Sequence, residues 1–133
     1  MDAKLLKNKI FLIEDEPNVI DIYKTALESA GMEVDGITSG KEAMEKIQDV
    51  QKGKRTKPDL VLLDLVLPDI NGLEILYAIR KNEKTKDIAV FILSNYSSDA
   101  LRNMKYIKSE KLLVKTNTPP LRLTELVKEQ LKQ

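Results

Sequence analysis

The sequence contains no cysteine and no histidine. Their absence excludes disulfides, thiolate nucleophiles, thiolate zinc sites and imidazole general bases together. It also prevents the chain from carrying a phosphohistidine, although the chain could still receive a phosphoryl group from one. Any bound metal must rest on oxygen ligands, which favours Mg²⁺, Ca²⁺ or Mn²⁺. An excess of charge is missing too: 22 basic and 21 acidic residues leave a net +1. A nucleic-acid module usually carries a basic excess or stripe, so direct nucleic-acid binding is not expected. No apolar run approaches the ~20 residues that span a bilayer. The first residues, Met1 to Lys7, lack the apolar core of a signal peptide. No membrane contact and a cytoplasmic location are therefore expected. There is no internal repeat, interdomain linker or low-complexity tract. With 133 residues, 42% hydrophobic and 32% charged, the expectation is one globular domain over 1–133, with a core of about 8–132.

Two short apolar runs end in acid. Ile10-Phe11-Leu12-Ile13 leads into Glu14-Asp15-Glu16, and Leu60-Val61-Leu62-Leu63 leads into Asp64. Short apolar runs bounded by polar breaks read as buried strands, and strands apolar on both faces belong to parallel sheets. Strands are predicted at Lys9–Ile13, Glu33–Ile37, Asp59–Leu63, Ile88–Leu93 and Lys111–Val114. Helical patterns fill the gaps. One begins at Pro17 and closes at Gly31, a second opens at Ser39-Gly40, and a third opens at Gly72. A weaker one covers about Ser98 to Tyr106, and the last starts near Pro119-Pro120. Five β-then-α alternations predict a doubly wound α/β domain with a parallel sheet and right-handed crossovers. Lys52-Gly53-Lys54-Arg55-Thr56-Lys57-Pro58 precedes the third strand. It reads first as a solvated connection and otherwise as a docking patch for an acidic partner.

Open α/β sheets bind ligands at the carboxyl ends of their strands. If the first and third strands are neighbours, Glu14, Asp15 and Asp64 converge there. Carboxylates of pKa ~4 are ionised at neutral pH, so such a cluster repels itself and wants a cation. Asp64, alone, reads equally as a nucleophile on a rigid strand end or as a turn residue before Pro68 and Gly72. Glu14 and Asp15 could form a helix-capping cluster beside Pro17, but capping accounts for only one of them; a metal cup explains both, and leaves Glu16 as the solvated or capping acid. Ser94 ends the fourth run and Lys115 ends the fifth. Singly these read as a helix cap and a solvent-facing strand end. Jointly they complete a phosphoryl-transfer set of nucleophile, metal cup and oxygen donors.

At this point the chain resembles the response-regulator receiver domain of two-component signal transduction, over nearly its whole length. The matching motifs are Ile13-Glu14-Asp15-Glu16-Pro17, Asp64-Leu65-Val66-Leu67-Pro68-Asp69-Ile70-Asn71-Gly72, Leu93-Ser94 and Val114-Lys115. The resemblance implies a flavodoxin-like five-stranded parallel sheet, order 2-1-3-4-5, with five helices on two faces. It implies that Asp64 is the phosphoacceptor and that Glu14 and Asp15 are the acidic pair. Mg²⁺, or Mn²⁺ in its place, would be held at Glu14, Asp15, Asp64 and the backbone carbonyl of Val66. Ser94 and Lys115 would contact the phosphoryl oxygens. The donor would be a histidine kinase or phosphotransfer protein, the output a switched contact with a downstream effector protein. Catalysis would extend only to the domain's own phosphorylation and dephosphorylation, with Tyr96 and Val66 tuning hydrolysis. With nothing after the last helix, a stand-alone receiver or an excised domain are both expected readings.

The pattern is broken beside Lys115. The family usually has proline directly after this lysine, often in a cis peptide; here Thr116 follows. A non-proline cis bond costs ~3 kcal/mol, so a trans peptide and a differently shaped loop are expected. The family's switch aromatic is replaced by Leu112, its small residue after the serine by Asn95, and its Gly-Ala turn by Lys108-Ser109-Glu110. The alternative reading is a pseudo-receiver, an interaction module that keeps the fold without phosphorylation. A flavodoxin-like electron carrier would need a hydroxyl- and Gly-rich loop where Glu14-Asp15-Glu16 stands. A haloacid-dehalogenase-type phosphatase would want a second Asp where Val66 stands.

Overall fold

The computed structural model describes residues 7–95 and 111–132. The elements in chain order are β1 (Lys9–Ile13), α1 (Pro17–Ser29), β2 (Glu33–Ile37), α2 (Gly40–Gln51), β3 (Leu60–Asp64) and α3 (Gly72–Arg80). They continue with β4 (Ala89–Ser94), β5 (Lys111–Val114), a 3-10 turn (Lys115–Asn117) and α4 (Pro120–Leu131). The five strands form one sheet in the order β2-β1-β3-β4-β5, and every pairing is parallel. The doubly wound α/β architecture and its expected strand order are therefore observed. Four helices are present among the described residues. The helix expected over about Ser98 to Tyr106 lies outside them, as do Tyr96 and Lys108-Ser109-Glu110.

Side-chain alternation divides the core between the two faces of the sheet. Phe11, Ile13, Val61, Leu63, Val90 and Ile92 pack with Ile47 of α2 and Ile75, Leu76 and Ile79 of α3. Ile10, Leu12, Leu60, Leu62, Phe91 and Leu93 pack with Tyr23 and Leu27 of α1 and Leu123 and Val127 of α4. Strands covered on both sides must be apolar at every position, and β3 is buried along its full length. Burying each large aliphatic side chain is worth roughly 1.5–3 kcal/mol, so slipping a strand by one residue is strongly disfavoured.

Local signals set the helix ends. Pro17 occupies the first turn of α1, where its missing N–H costs nothing. Gly31, at φ +91, follows the end of α1 and donates its amide to the Glu28 carbonyl at 2.9 Å. Ser39 caps α2 by accepting from the Glu42 amide at 3.1 Å, and Asn71 caps α3 by accepting from the Leu73 amide at 2.9 Å. The basic connection at residues 52–57 is exposed throughout.

β3 and β4 each start and end one residue later than expected. β3 runs to Asp64 and β4 to Ser94, so both polar residues belong to the strands. Asp64 pairs with Leu93 and Ser94 with Val114 in the parallel ladder. The ladder uses only backbone groups, so a polar side chain does not end it.

Candidate functional site

Strand register assembles the site. Ile13 of β1 lies opposite Leu63 of β3, which sets Glu14 beside Asp64 at the carboxyl edge of the sheet. Ser94 opposite Val114 brings Lys115 to the same edge. A cavity of about 300 Å³ opens there, lined by Asp15, Glu16, Asp64, Val66, Asn95 and Lys115. Glu14 is fully buried beneath it and Asp64 is only 4% exposed. Ser94 is buried at the end of β4; its neighbour Asn95, not Ser94, lines the cavity. Val66 is 57% exposed at the rim.

The carboxylates are held by short, local contacts. Glu14 accepts the Glu16 amide on Oε2 at 3.0 Å. Asp64 accepts the Val66 amide on Oδ1 at 2.9 Å. Lys115 Nζ sits between them, 3.0 Å from Asp64 Oδ2 and 2.5 Å from Glu14 Oε1. Its side chain is 11% exposed, so these charges meet where water screens them little. Glu16 keeps its side chain in solvent, 3.9 Å from Lys115, and its side chain caps nothing. Of the two roles expected of it, solvated or capping, it takes the solvated one.

Burial pushes the Glu14 carboxyl up from its ordinary value. The Lys115 contact and the Glu16 amide oppose that rise, and the nearby Asp64 charge adds to it. Burial works in the other direction on Lys115, but hydrogen bonds and charge from Glu14 and Asp64 outweigh it and raise the ammonium.

The donor set fits a divalent cation. Glu14, Asp15 and Asp64 each offer a carboxylate oxygen, and these lie within 4.8 Å of one another. Glu14 Oε1 is buried and receives no hydrogen bond among the described residues, its ion pair with Lys115 aside. Clustered hard oxygens of this kind suit Mg²⁺, Ca²⁺ or Mn²⁺ by chemistry.

The loop after β3 is fastened by backbone proximity. A Cβ on Gly72 would stand 2.5 Å from Leu65 Cα and 2.7 Å from the Asp64 carbonyl oxygen. The Gly72 amide donates to the Leu65 carbonyl at 2.9 Å, and Val66 bridges to Asn71. Asp69, which sequence reasoning passed over as part of a motif, crosses to α2. It accepts the Gly40 amide at 2.8 Å and the Lys41 amide at 2.9 Å. Those bonds hold its carboxyl below the usual range. A lone Asp between a proline and an isoleucine gives no sign that it will cap a helix 29 residues upstream.

The loop after β5 is fastened by side chains. No cis peptide occurs among the described residues, and Lys115–Asn117 forms the 3-10 turn. The expected trans link at Lys115 is present. Thr118 Oγ1 donates to the Val114 carbonyl at 2.8 Å, and the Tyr23 hydroxyl donates to the Thr118 carbonyl at 2.9 Å. Leu112 packs against the α2–α3 side of the core.

Known proteins share this fold. A family model for the response regulator receiver domain matches residues 10–128. Regulatory protein LuxO of Vibrio cholerae is 30% identical over 115 residues, which covers 85% of this chain and 24% of LuxO. The chain spans 24% to 34% of the length of the first curated relatives it matches. The phosphorylated cyanobacterial phytochrome response regulator RcpA superposes with a TM-score of 0.79 at 28% identity, covering 93% of each chain. Response regulator TrrA of Thermotoga maritima, solved in complex with Mg²⁺ and BeF, superposes with a TM-score of 0.74 at 32% identity. That match covers 93% of this chain and 99% of TrrA.

Proposed function

The chain belongs to the response-regulator receiver family, and on that premise we propose that Asp64 accepts a phosphoryl group and that the domain switches a partner by doing so. The observation that carries this reading is the convergence of Glu14, Asp15 and Asp64 with Lys115 at one sheet edge. A carboxylate oxygen of Asp64 attacks the phosphorus of a phosphohistidine on a histidine kinase or phosphotransfer protein. The P–O bond forms as the P–N bond breaks, and the electron pair returns to the donor imidazole. Asp64 is held for this attack by β3 and by the Val66 amide. Lys115 follows the transferred group, exchanging part of its carboxylate contacts for phosphoryl oxygens. Ser94 supplies a hydroxyl to the same group from the end of β4. Glu14, Asp15, Asp64 and the Val66 carbonyl would hold Mg²⁺, or Mn²⁺, which supplies positive charge to offset the crowded anions. We place residues 8–132 in this single receiver domain, with an effector protein as its output partner.

A small phosphodonor such as acetyl phosphate, with Mg²⁺, tests the reading by intact mass. One phosphoryl group is expected on the wild type and none on Asp64→Ala. No mass gain, or a gain that survives Asp64→Ala, sinks it. One observation favours a pseudo-receiver instead: Lys115 already supplies the acid cluster with an internal cation. In that case the mass stays unchanged and Mg²⁺ does not raise the melting temperature.

A further inference from the structure

Lys115 is flanked by a turn with little intrinsic rigidity. Thr116 and Asn117 are exposed, and neither residue type restricts the backbone as proline does. The order of this turn converges on Thr118, which is buried. Its amide donates back to the Lys115 carbonyl at 3.2 Å. Its hydroxyl donates to the Val114 carbonyl at 2.8 Å. Its own carbonyl accepts the hydroxyl of Tyr23 at 2.9 Å, across 95 residues of sequence. The turn is thus closed on itself by Thr118 and moored to α1 by Tyr23.

Tyr23 is buried on the face of α1 that packs against Leu123, Leu126 and Val127 of α4. A buried phenol needs a partner for its hydroxyl, and this one uses it on the loop that leaves β5. Burial raises the Tyr23 pKa, Lys115 opposes that rise and Glu14 adds to it. The hydroxyl therefore remains a donor near neutral pH, within electrostatic reach of both site residues.

We propose that Tyr23 is the positioning residue for Lys115: by mooring the Lys115–Thr118 turn to α1, its hydroxyl holds the ammonium between Glu14 and Asp64. This rests on the reading of Lys115 as a phosphoryl ligand only for its effect on rate, not for its effect on geometry. It also makes α1 and the turn a single mechanical unit. A shift of Lys115 toward a phosphoryl group would load the Tyr23 bond, and through it the packing of α1 on α4.

The test is Tyr23→Phe, which removes one oxygen and keeps the ring. Folding is checked by thermal melting. The lysine side chains are labelled with ¹³C at Cε, and the Lys115 resonance, assigned by its loss in Lys115→Ala, is followed at fixed pH. In Tyr23→Phe this resonance is expected to move or broaden while lysines remote from the site stay in place. Thr118→Ala, which opens the same turn from its other side, should move it too and serves if Tyr23→Phe does not fold. Phosphorylation by acetyl phosphate should slow about fivefold in Tyr23→Phe, the effect of one neutral hydrogen bond. In a Lys115→Ala background the same change should add nothing. A Lys115 resonance that is unmoved in folded Tyr23→Phe overturns the proposal, as does a rate loss that is additive with Lys115→Ala. If wild type takes up no phosphoryl group, the proposed function fails, and the Lys115 resonance still decides the role of Tyr23.

Discussion

The loops after β3 and after β5 serve one site but are held in opposite ways. The β3 loop follows Asp64, carries Val66 and is locked by backbone proximity, with no room for a Cβ at Gly72 and two amides of α2 capped by Asp69. The β5 loop carries Lys115 and is moored by two hydroxyls, those of Thr118 and Tyr23. A backbone lock leaves few alternatives, because moving it means unpacking the loop. A hydroxyl bond nets only ~1 kcal/mol and can be exchanged for another. The Asp64 side of the site is accordingly the more rigidly fastened, and the Lys115 side rests on bonds that can be exchanged.

Substitutions can break this contrast. Gly72→Ala forces Cβ against backbone atoms that cannot rotate away, and about 3 kcal/mol of stability should be lost in urea unfolding. Lys115→Met leaves buried Glu14 and Asp64 without their shared cation. The cost should be about 2 kcal/mol at about pH 8 and less at about pH 5, because Glu14 takes up a proton more readily once Lys115 is gone. Thr118→Val keeps the shape and removes the bond to Val114, and about 1 kcal/mol should be lost. Equal losses for Thr118→Val and Gly72→Ala would dissolve the distinction between the two loops.

Two further changes sharpen it through pH. The Glu14 carboxyl is raised above its ordinary value of 4.5 in the folded protein. The folded state therefore holds that proton more tightly than the unfolded chain, and stability falls as pH rises from the ordinary value through the raised one. Glu14→Gln should remove that decline from denaturation curves recorded across the window. Asp69 has the opposite sign and the smallest effect. The Lys41 and Gly40 amides lower it from 3.8, so its contribution is present above that value and is lost as pH falls through the lower one. Asp69→Asn should match wild type in acid and fall below it near neutral pH, in the same unfolding assay.

Much of this was legible because it is local. Apolar runs marked β1, β3, β4 and β5, Pro17, Ser39 and Gly72 marked helix starts, and the acids at the ends of β1 and β3 marked the site. The strand ends at Asp64 and Ser94 were each one residue short, since a polar side chain hides a backbone that still pairs. Asp69 and Tyr23 gave no signal of their roles. Tyr23 falls on the buried stripe of α1 and reads as one more core residue, and its partner is a backbone carbonyl, which no side-chain pattern marks.

The amino-acid sequence by itself determined the order of strands and helices, the oxygen-only chemistry and the presence of acids at two strand ends, because these follow from periodicity and residue type along a few neighbouring positions. The tertiary structure alone decided that Lys115 lies between Glu14 and Asp64, that Asp69 caps α2 and that Tyr23 moors the turn at Thr118. Each of those contacts joins residues between 28 and 101 positions apart, and such distances are set only when strand register and helix packing have closed around them.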